Sequence, residues 1–310
     1  MRTLIAVALA GLVGACGGAC SPSAAPPAAP TPGTPVAQPA PAGPQAFSGL
    51  ALWDDGLSEM SYYVAEATIY GKSRNYTRVQ LLNRQWNSRS AGVKCEPDAA
   101  DATAVFKLHT AEEIPTENYN YRITSTCFLE RPTLAPLKVA ISTQEWCGAT
   151  FKHLRWRPDG SLQLKSFSYF PDEGDREWTL PGQTQCFEAL YLLARDLVAS
   201  GDASRSFSLM PPMRTNRQTA AEPFDATLQR SGEPTDLQTA AGTFRVQHVE
   251  LRGSETHQAA FDVEASAPWK LVRYQTSEAG GLSGTLKFVE RRAYWDRDKP
   301  SAFYEQGKAP

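Results

Sequence analysis

Gln144-Glu145-Trp146-Cys147-Gly148 is the segment whose residue types come nearest to a reactive site. A cysteine there could act as a nucleophile if a base stood within hydrogen-bonding reach. Read as one strand, residues 137–153 alternate their side chains, so Leu137, Val139, Ile141, Thr143, Glu145 and Cys147 share a mostly apolar face. That pattern turns Cys147 and Glu145 inward. His153 falls on the same face, but six strand residues place it about 20 Å away, too far to activate Cys147 unless the strand breaks. The structural reading is a core or disulfide cysteine with Glu145 paired to an arginine, and it outweighs catalysis by Cys147 or Glu145.

Other chemical candidates meet the same bland alternative. His109, His153, His248 and His257 lack metal-motif spacing. Asp172, Glu173, Asp175 and Glu177 could bind calcium, but such a cluster is more often a solvated turn. Gly281-Leu282-Ser283-Gly284 lacks the final spacing of a nucleophile elbow. Asn75-Tyr76-Thr77 matches a glycosylation sequon, which means little in a bacterial chain. No phosphate loop or dinucleotide fingerprint occurs, so neither a metal nor a cofactor is expected.

The N-terminus carries clearer information. After Arg2 the next charged residue is Asp54, and residues 3–15 (TLIAVALAGLVGA) form a short apolar run. A basic start, an apolar middle and small residues before a cleavage point define a secretory signal. The run is shorter than the roughly 20 apolar residues a membrane span needs. Val13-Gly14-Ala15-Cys16 resembles the lipobox of bacterial lipoproteins. The resemblance implies cleavage after residue 15 and lipidation of Cys16. It also implies partners: the membrane through the lipid anchor, and the lipoprotein processing and sorting machinery. Cys20 is a poorer candidate, because Gly17 stands where a branched apolar residue belongs. In enterobacterial relatives of this class Asp after the lipidated cysteine favours inner-membrane retention. Gly17 therefore leans the expectation towards the outer membrane of the cell envelope.

Residues 16–46 follow as a lipidated cysteine and a tether. Residues 21–46 hold nine prolines and eight alanines without a charge or an aromatic ring. This composition cannot offset chain entropy by burial and favours an extended spacer. The predicted mature chain has 30 basic and 33 acidic residues. So balanced a charge provides no electrostatic reason to expect a nucleic-acid partner.

A β-rich domain is expected over 47–300, as one unit or as halves 47–180 and 203–300 joined by a helix, with a tail at 301–310. Short runs rich in β-branched and aromatic residues recur, among them 61–70, 74–82, 103–109, 118–128 and 137–156. Pro158-Asp159-Gly160 supplies the dihedral angles of a hairpin turn into 162–170. Strands resume at 242–251, 258–266, 269–276 and 284–295. Between them, residues 184–200 (TQCFEALYLLARDLVAS) predict one substantial helix with Thr184 as N-cap and Gly201 as C-cap. Its broad apolar surface requires cover by protein. The expected fold is mainly β, a curved antiparallel sheet or open β-barrel around that helix.

Several pieces resemble a family of bacterial envelope lipoproteins of unknown function. They are Leu52-Trp53-Asp54-Asp55-Gly56-Leu57-Ser58-Glu59, the surroundings of Tyr119-Asn120-Tyr121, Ser142 to Gly148, and Ser168-Tyr169-Phe170. Ala241-Gly242-Thr243-Phe244 and Ala267-Pro268-Trp269-Lys270-Leu271-Val272 are similar to DUF3108-type envelope proteins. The resemblance implies an antiparallel sheet curved around a helix or groove, loosely like lipoprotein carriers. Some relatives bear the label septum formation inhibitor Maf. The Ser-x-Ser-Pro-Arg-Arg loop of true Maf pyrophosphatases is missing here, so the label reads as a misnomer.

Export would place Cys95, Cys127, Cys147 and Cys186 where disulfides form, and four cysteines allow three pairings. Cys95 and Cys127 both lie outside the family pattern, which implies a Cys95–Cys127 bond and leaves Cys147 with Cys186. The functional expectation is a non-catalytic, anchored envelope lipoprotein binding an apolar ligand or an envelope protein. The alternatives are an envelope hydrolase using Cys147 or buried carboxylates, and a structural surface lipoprotein.

Overall fold

A computed structural model describes residues 47–218 and 222–298. The expected signal, Cys16, Cys20, the tether and the tail at 301–310 lie outside the described residues. The first eight strands are β1 (Ser58–Ile69), β2 (Lys72–Ser88), β3 (Ala102–Ile114), β4 (Tyr121–Glu130), β5 (Pro136–Glu145), β6 (Gly148–Trp156), β7 (Ser161–Ser168) and β8 (Asp175–Pro181). The short β9 (Thr184–Gln185) leads into the helix α1 (Leu190–Ser200). Six strands follow: β10 (Ser204–Leu209), β11 (Phe224–Thr239), β12 (Gly242–Arg252), β13 (Ala259–Glu264), β14 (Leu271–Thr276) and β15 (Leu282–Arg292).

All fifteen strands form one sheet. Strict alternation of buried and half-exposed residues along β5 and β7 shows why these segments fold as strands with one face inward. β1 to β8 pair with their chain neighbours, as do β10 to β15, and β1 pairs antiparallel with β15. The two predicted halves therefore share a single sheet. Its free edges are β8 and β9, which are consecutive in the chain. The Gly182 N–H donates to Gly160 O at 3.0 Å, and the Trp156 indole donates to Thr184 O at 2.9 Å. The first bond extends the β7–β8 ladder and the second ties β6 to β9 beyond it, within a nearly closed, barrel-like sheet. The edges are protected as edges usually are: β9 has two residues and β8 starts with Asp175-Arg176-Glu177.

The helix fills the space inside. Nine of its eleven residues are buried, on every side of the helix, as a rod wrapped by a sheet requires. Gly201 closes it in the left-handed conformation at φ 78°. Its start differs from the sequence reading. Thr184 lies in β9 and its hydroxyl donates to Pro181 O at 2.9 Å; a 3-10 turn at Phe187–Ala189 precedes the helix. Pairing with β10 captures this stretch, since two ladder bonds and a buried Thr184 outweigh one capping bond.

Antiparallel alternation places the turns after β1, β3, β5 and β7 at one end of the barrel, together with those after β10, β12 and β14. The opposite end is closed by Phe47–Asp54. There Trp53 packs edge-on against Phe47 (5.2 Å) and Phe106 (5.3 Å), and Arg131 donates to Ser48 O and to Asp54.

The single strand predicted over 137–156 is a hairpin instead. It breaks at Trp146-Cys147, where β5 turns into β6. Gly148 permits the reversal: its Tyr169 neighbour packs where a Cβ would stand. The break resets the side-chain alternation, so Cys147 is exposed rather than inward.

Candidate functional site

Three hairpin tips, β1–β2, β3–β4 and β5–β6, bring an unusual run of four rings to the upper end of the barrel. Trp146 lies parallel to Tyr119 at 5.4 Å, and Tyr119 lies parallel to Tyr121 at 5.7 Å. Tyr70 meets Tyr121 edge-on at 6.1 Å, and their hydroxyls touch. Trp146 is 82% exposed and Tyr70 is 77% exposed. Burying one such side chain ordinarily contributes about 1.5–3 kcal/mol, so leaving two in water at neighbouring tips is not a folding device. Tyr119, Asn120, Arg122, Gln144, Glu145 and Trp146 line an open cleft of about 350 Å³ beside the rings.

A strap from β10 to residue 218 supports this end from within. Met210, Met213 and Arg214 are buried under it. Lys152 donates to Met213 O at 2.9 Å and to Thr215 O at 2.7 Å. Thr150 donates to Asn216 O at 2.7 Å, and the Asn216 amide donates to Glu145. Glu173 accepts from Arg217 (3.3 Å) and from the Gln218 N–H (3.0 Å). The acidic cluster at 172–177 is thus partly an anchor for the strap, with Glu177 paired to Lys165.

No family model and no curated protein matches the chain. Among solved structures, it is similar to a β-barrel-like protein of the domain of unknown function DUF1849 from Brucella abortus. The similarity covers 76% of this chain and 98% of that one, at 9% identity and a TM-score of 0.48.

The remaining candidates separate in space. Cys147 touches the Tyr119 hydroxyl at 3.2 Å, a contact that pushes that phenol up to about 12. The strand does break before His153, yet His153 pairs across to Ala140 in mid-β6. Burial, helped by Lys138, pushes its imidazole down to about 4. His109 bonds Thr126 at 2.8 Å, and His248 bonds Asp262 at 2.7 Å. Among the described residues no cluster of three metal-ligating types exists.

The predicted cysteine pairings are overturned. Cys127 of β4 faces Cys186, just before the 3-10 turn, with sulfurs 3.5 Å apart in the core. Both are thiols here, and Cys95 is a half-exposed thiol elsewhere. Spacing along the chain could not reveal the match, because β4 and the helix lead-in meet only once the sheet curls.

Sequence reasoning also missed the charges inside the barrel. Glu112 receives Arg214 at 2.5 and 2.9 Å and the Tyr76 hydroxyl at 2.5 Å, with Arg78 at 3.6 Å. Burial pushes the Glu112 carboxyl up, but Arg214 and Arg78 outweigh it and hold it below its usual range. Arg78 also donates to Tyr191 of α1 at 2.9 Å, and its guanidinium lies over the Tyr191 and Tyr274 rings. Lower down, Arg195 grips Glu59 at 2.6 and 3.1 Å and donates to Trp269 O at 2.6 Å. Arg195 falls within the helix expected over 184–200, but nothing in the sequence assigned it a partner. Glu188 is 5% exposed, and burial, then Glu278, push it up to about 7. Burial likewise pushes Lys152 down to about 8.

Proposed function

We propose that this chain is a lipid-anchored protein of the cell envelope that works by binding, and that its working surface is the aromatic upper end. The observation that carries the reading is the run Trp146–Tyr119–Tyr121–Tyr70, in which Trp146 and Tyr70 stand exposed on the half-buried Tyr119 and the buried Tyr121, on a barrel whose interior is already occupied by α1 and the strap. A site of this kind exists before its ligand arrives and needs little ordering on binding. The lipobox-like Val13-Gly14-Ala15-Cys16 and the proline-rich stretch behind it support anchoring through Cys16. The resemblance of Ser142–Gly148 to envelope lipoproteins of unknown function, and of Ala267–Val272 to DUF3108-type envelope proteins, supports the same compartment. An outer-membrane location follows from Gly17 within this reading. An apolar ligand held inside the sheet fits less well, since charged groups and a helix take that space.

In such a compartment Cys127 and Cys186 would meet thiol oxidants, and we include a bond between them in this reading. The hydrolase alternative rests on Cys147, whose near neighbour is a phenol rather than a base. A Cys147→Ser variant with full cellular function would remove the nucleophile version and leave only the buried carboxylates as candidates.

Labelled palmitate tests the anchor. The native chain should incorporate it, a Cys16→Ala chain should not, and globomycin should make the precursor accumulate. Label that persists in Cys16→Ala but is lost in Cys20→Ala would refute the chosen site.

A further inference from the structure

We propose that the outer face of β11 to β14 carries an acyl-transfer site, with Ser231 as nucleophile, His248 as general base and Asp262 as the residue that positions the base. The inference depends neither on the anchor nor on the aromatic end.

Four neighbouring strands bring these groups into one row. Ser231 of β11 is paired across to His248 of β12, His248 to Asp262 of β13, and Asp262 to Arg273 of β14. Directly paired residues share a face and hold their Cβ atoms about 5 Å apart. That face is the outer one: the next residues along the strands, Val249, Phe261 and Tyr274, are buried in the barrel, whereas Ser231 and His248 are half-exposed. Surface ion pairs contribute little to folding, so stability does not call for this alignment. A hydroxyl, an imidazole and a carboxylate in that order are the parts of an acyl-transfer triad.

The base is oriented for that work. Asp262 is 5% exposed, and its Oδ1 lies 2.7 Å from His248 Nδ1, while its Oδ2 accepts from Arg273 Nε at 2.5 Å. A carboxylate on Nδ1 fixes the proton there and leaves Nε2 as the acceptor. The two ring nitrogens diverge, and β11 and β13 flank β12 on opposite sides, so Nε2 opens away from Asp262 towards the side of Ser231. Glu250 Oε1 stands 3.3 Å from Nε2, and Arg252 draws that carboxylate along its own strand. On the other side of the row the ladder slips directly after Ser231 and resumes at Thr235, with Gly232 at φ 64°. Bulges re-aim side chains and recur beside active sites. Gln247 fills this one, its amide donating to Ser231 O at 2.9 Å and to Gly232 O at 3.2 Å. Gly232 and Glu233 have no register partner on β12, and their N–H groups are the donors assigned to the developing oxyanion.

The substrate enters from one row further along, about 7 Å away. That row is Gln229, Glu250, Ala260 and Gln275. Ala260 is its one short side chain, and it lines a cleft of about 810 Å³ with Glu250, Ser254, Gln258 and Gln275. A polar, open cleft suits an ester with polar substituents, since an alcohol leaves more readily than an amine. Ser231 Oγ bonds to the ester carbonyl carbon as its proton passes to His248 Nε2. The carbon–oxygen bond to the alcohol breaks, and that proton leaves on the alcohol. Water repeats the sequence on acyl-Ser231, releasing the carboxylic acid and restoring the hydroxyl.

The test treats the full-length chain, in mild detergent, with a biotinylated fluorophosphonate. One label per chain should appear, mapped to Ser231, and the protein should hydrolyse p-nitrophenyl acetate. Ser231→Ala should lose both, and His248→Gln should slow labelling by about 100-fold or more, each with an unchanged melting temperature. Asp262→Asn should lower kcat and leave KM nearly unchanged. Wild-type protein that takes no label, or takes it elsewhere, overturns the proposal. So does His248→Gln labelled at the native rate, or turnover that survives Ser231→Ala. An Asp262→Asn variant that melts earlier with its kcat intact would show Asp262 to be structural and refute the triad.

Discussion

If the chain is exported as proposed, Cys127 and Cys186 should be joined in the mature protein, and Cys95 and Cys147 should not. The sulfurs stand 3.5 Å apart and need to approach by about 1.5 Å to bond, a movement within side-chain relaxation. Two thiols would pass two electrons to the disulfide of an envelope thiol oxidase and release two protons. Burial pushes the Cys127 thiol well up, so little thiolate exists in the folded core. The bond should therefore form before the sheet closes over it. The residues are 59 apart in sequence, and closing such a loop restricts the unfolded chain by about 4 kcal/mol in the chain-entropy model. For a domain of this size that corresponds to roughly 10 °C in melting temperature. Alkylation under denaturing, non-reducing conditions should leave Cys127 and Cys186 unlabelled until reductant is added. Calorimetry should show the drop on reduction, and a Cys127→Ala, Cys186→Ala double variant should be indifferent to reductant. Labelling of all four domain thiols without reductant would refute the pairing. A bond that is present but leaves melting unchanged would refute the loop-entropy account.

Two further outcomes concern the buried charges. Glu188 is neutral in the fold up to about pH 7, while its unfolded carboxyl ionises near the ordinary value of 4.5. The fold thus keeps a proton the unfolded chain has lost, and stability should fall as pH rises from about 4.5 to 7, by up to roughly 3 kcal/mol. Denaturant melts of Glu188→Gln against wild type should show a gain at pH 8 that vanishes at pH 4; an equal difference at both would count against it. Glu112→Ala would leave Arg78 and Arg214 buried without their carboxylate, and urea titration should report a loss of about 3–5 kcal/mol. A loss below 1 kcal/mol would mean water or Glu278 takes over the pairing.

Legibility in the sequence followed the range of the forces involved. β5, β7 and β14 could be read because each has one face inward, and alternation records that locally. β11 was invisible: Gly232-Glu233-Pro234 reads as a break, whereas the structure absorbs it as a bulge between Ser231 and Thr235. The helix was legible from its apolar girth, but its first turn yielded to pairing between β9 and β10. At the site, Trp146, Tyr119 and Tyr121 all lay in segments singled out for other reasons. Nothing in their spacing says that they stack, because Trp146 and Tyr119 meet across separate hairpin tips. The Glu112–Arg214 pair is 102 residues apart and depends on the strap entering the barrel.

The barrel's polarity ties these parts together. A sheet of this size could have enclosed an apolar ligand, but α1, Arg78, Arg214 and Glu112 occupy the centre and satisfy one another. Replacing them by a ligand would strand charges in a low-dielectric interior, at a cost apolar contacts could not repay. Within the proposed reading, binding is therefore displaced to an end. The lower end is sealed by Trp53 and Phe47 and tied down by Arg131 and Arg291. The upper end leaves Trp146 and Tyr70 in water. The charged interior then has a structural purpose for the site: Glu112 fixes Arg214, Arg214 fixes the strap, and the strap's Asn216 fixes Glu145 beside Trp146. Rigidity made deep in the barrel is delivered to the exposed rings through three consecutive residues of one segment.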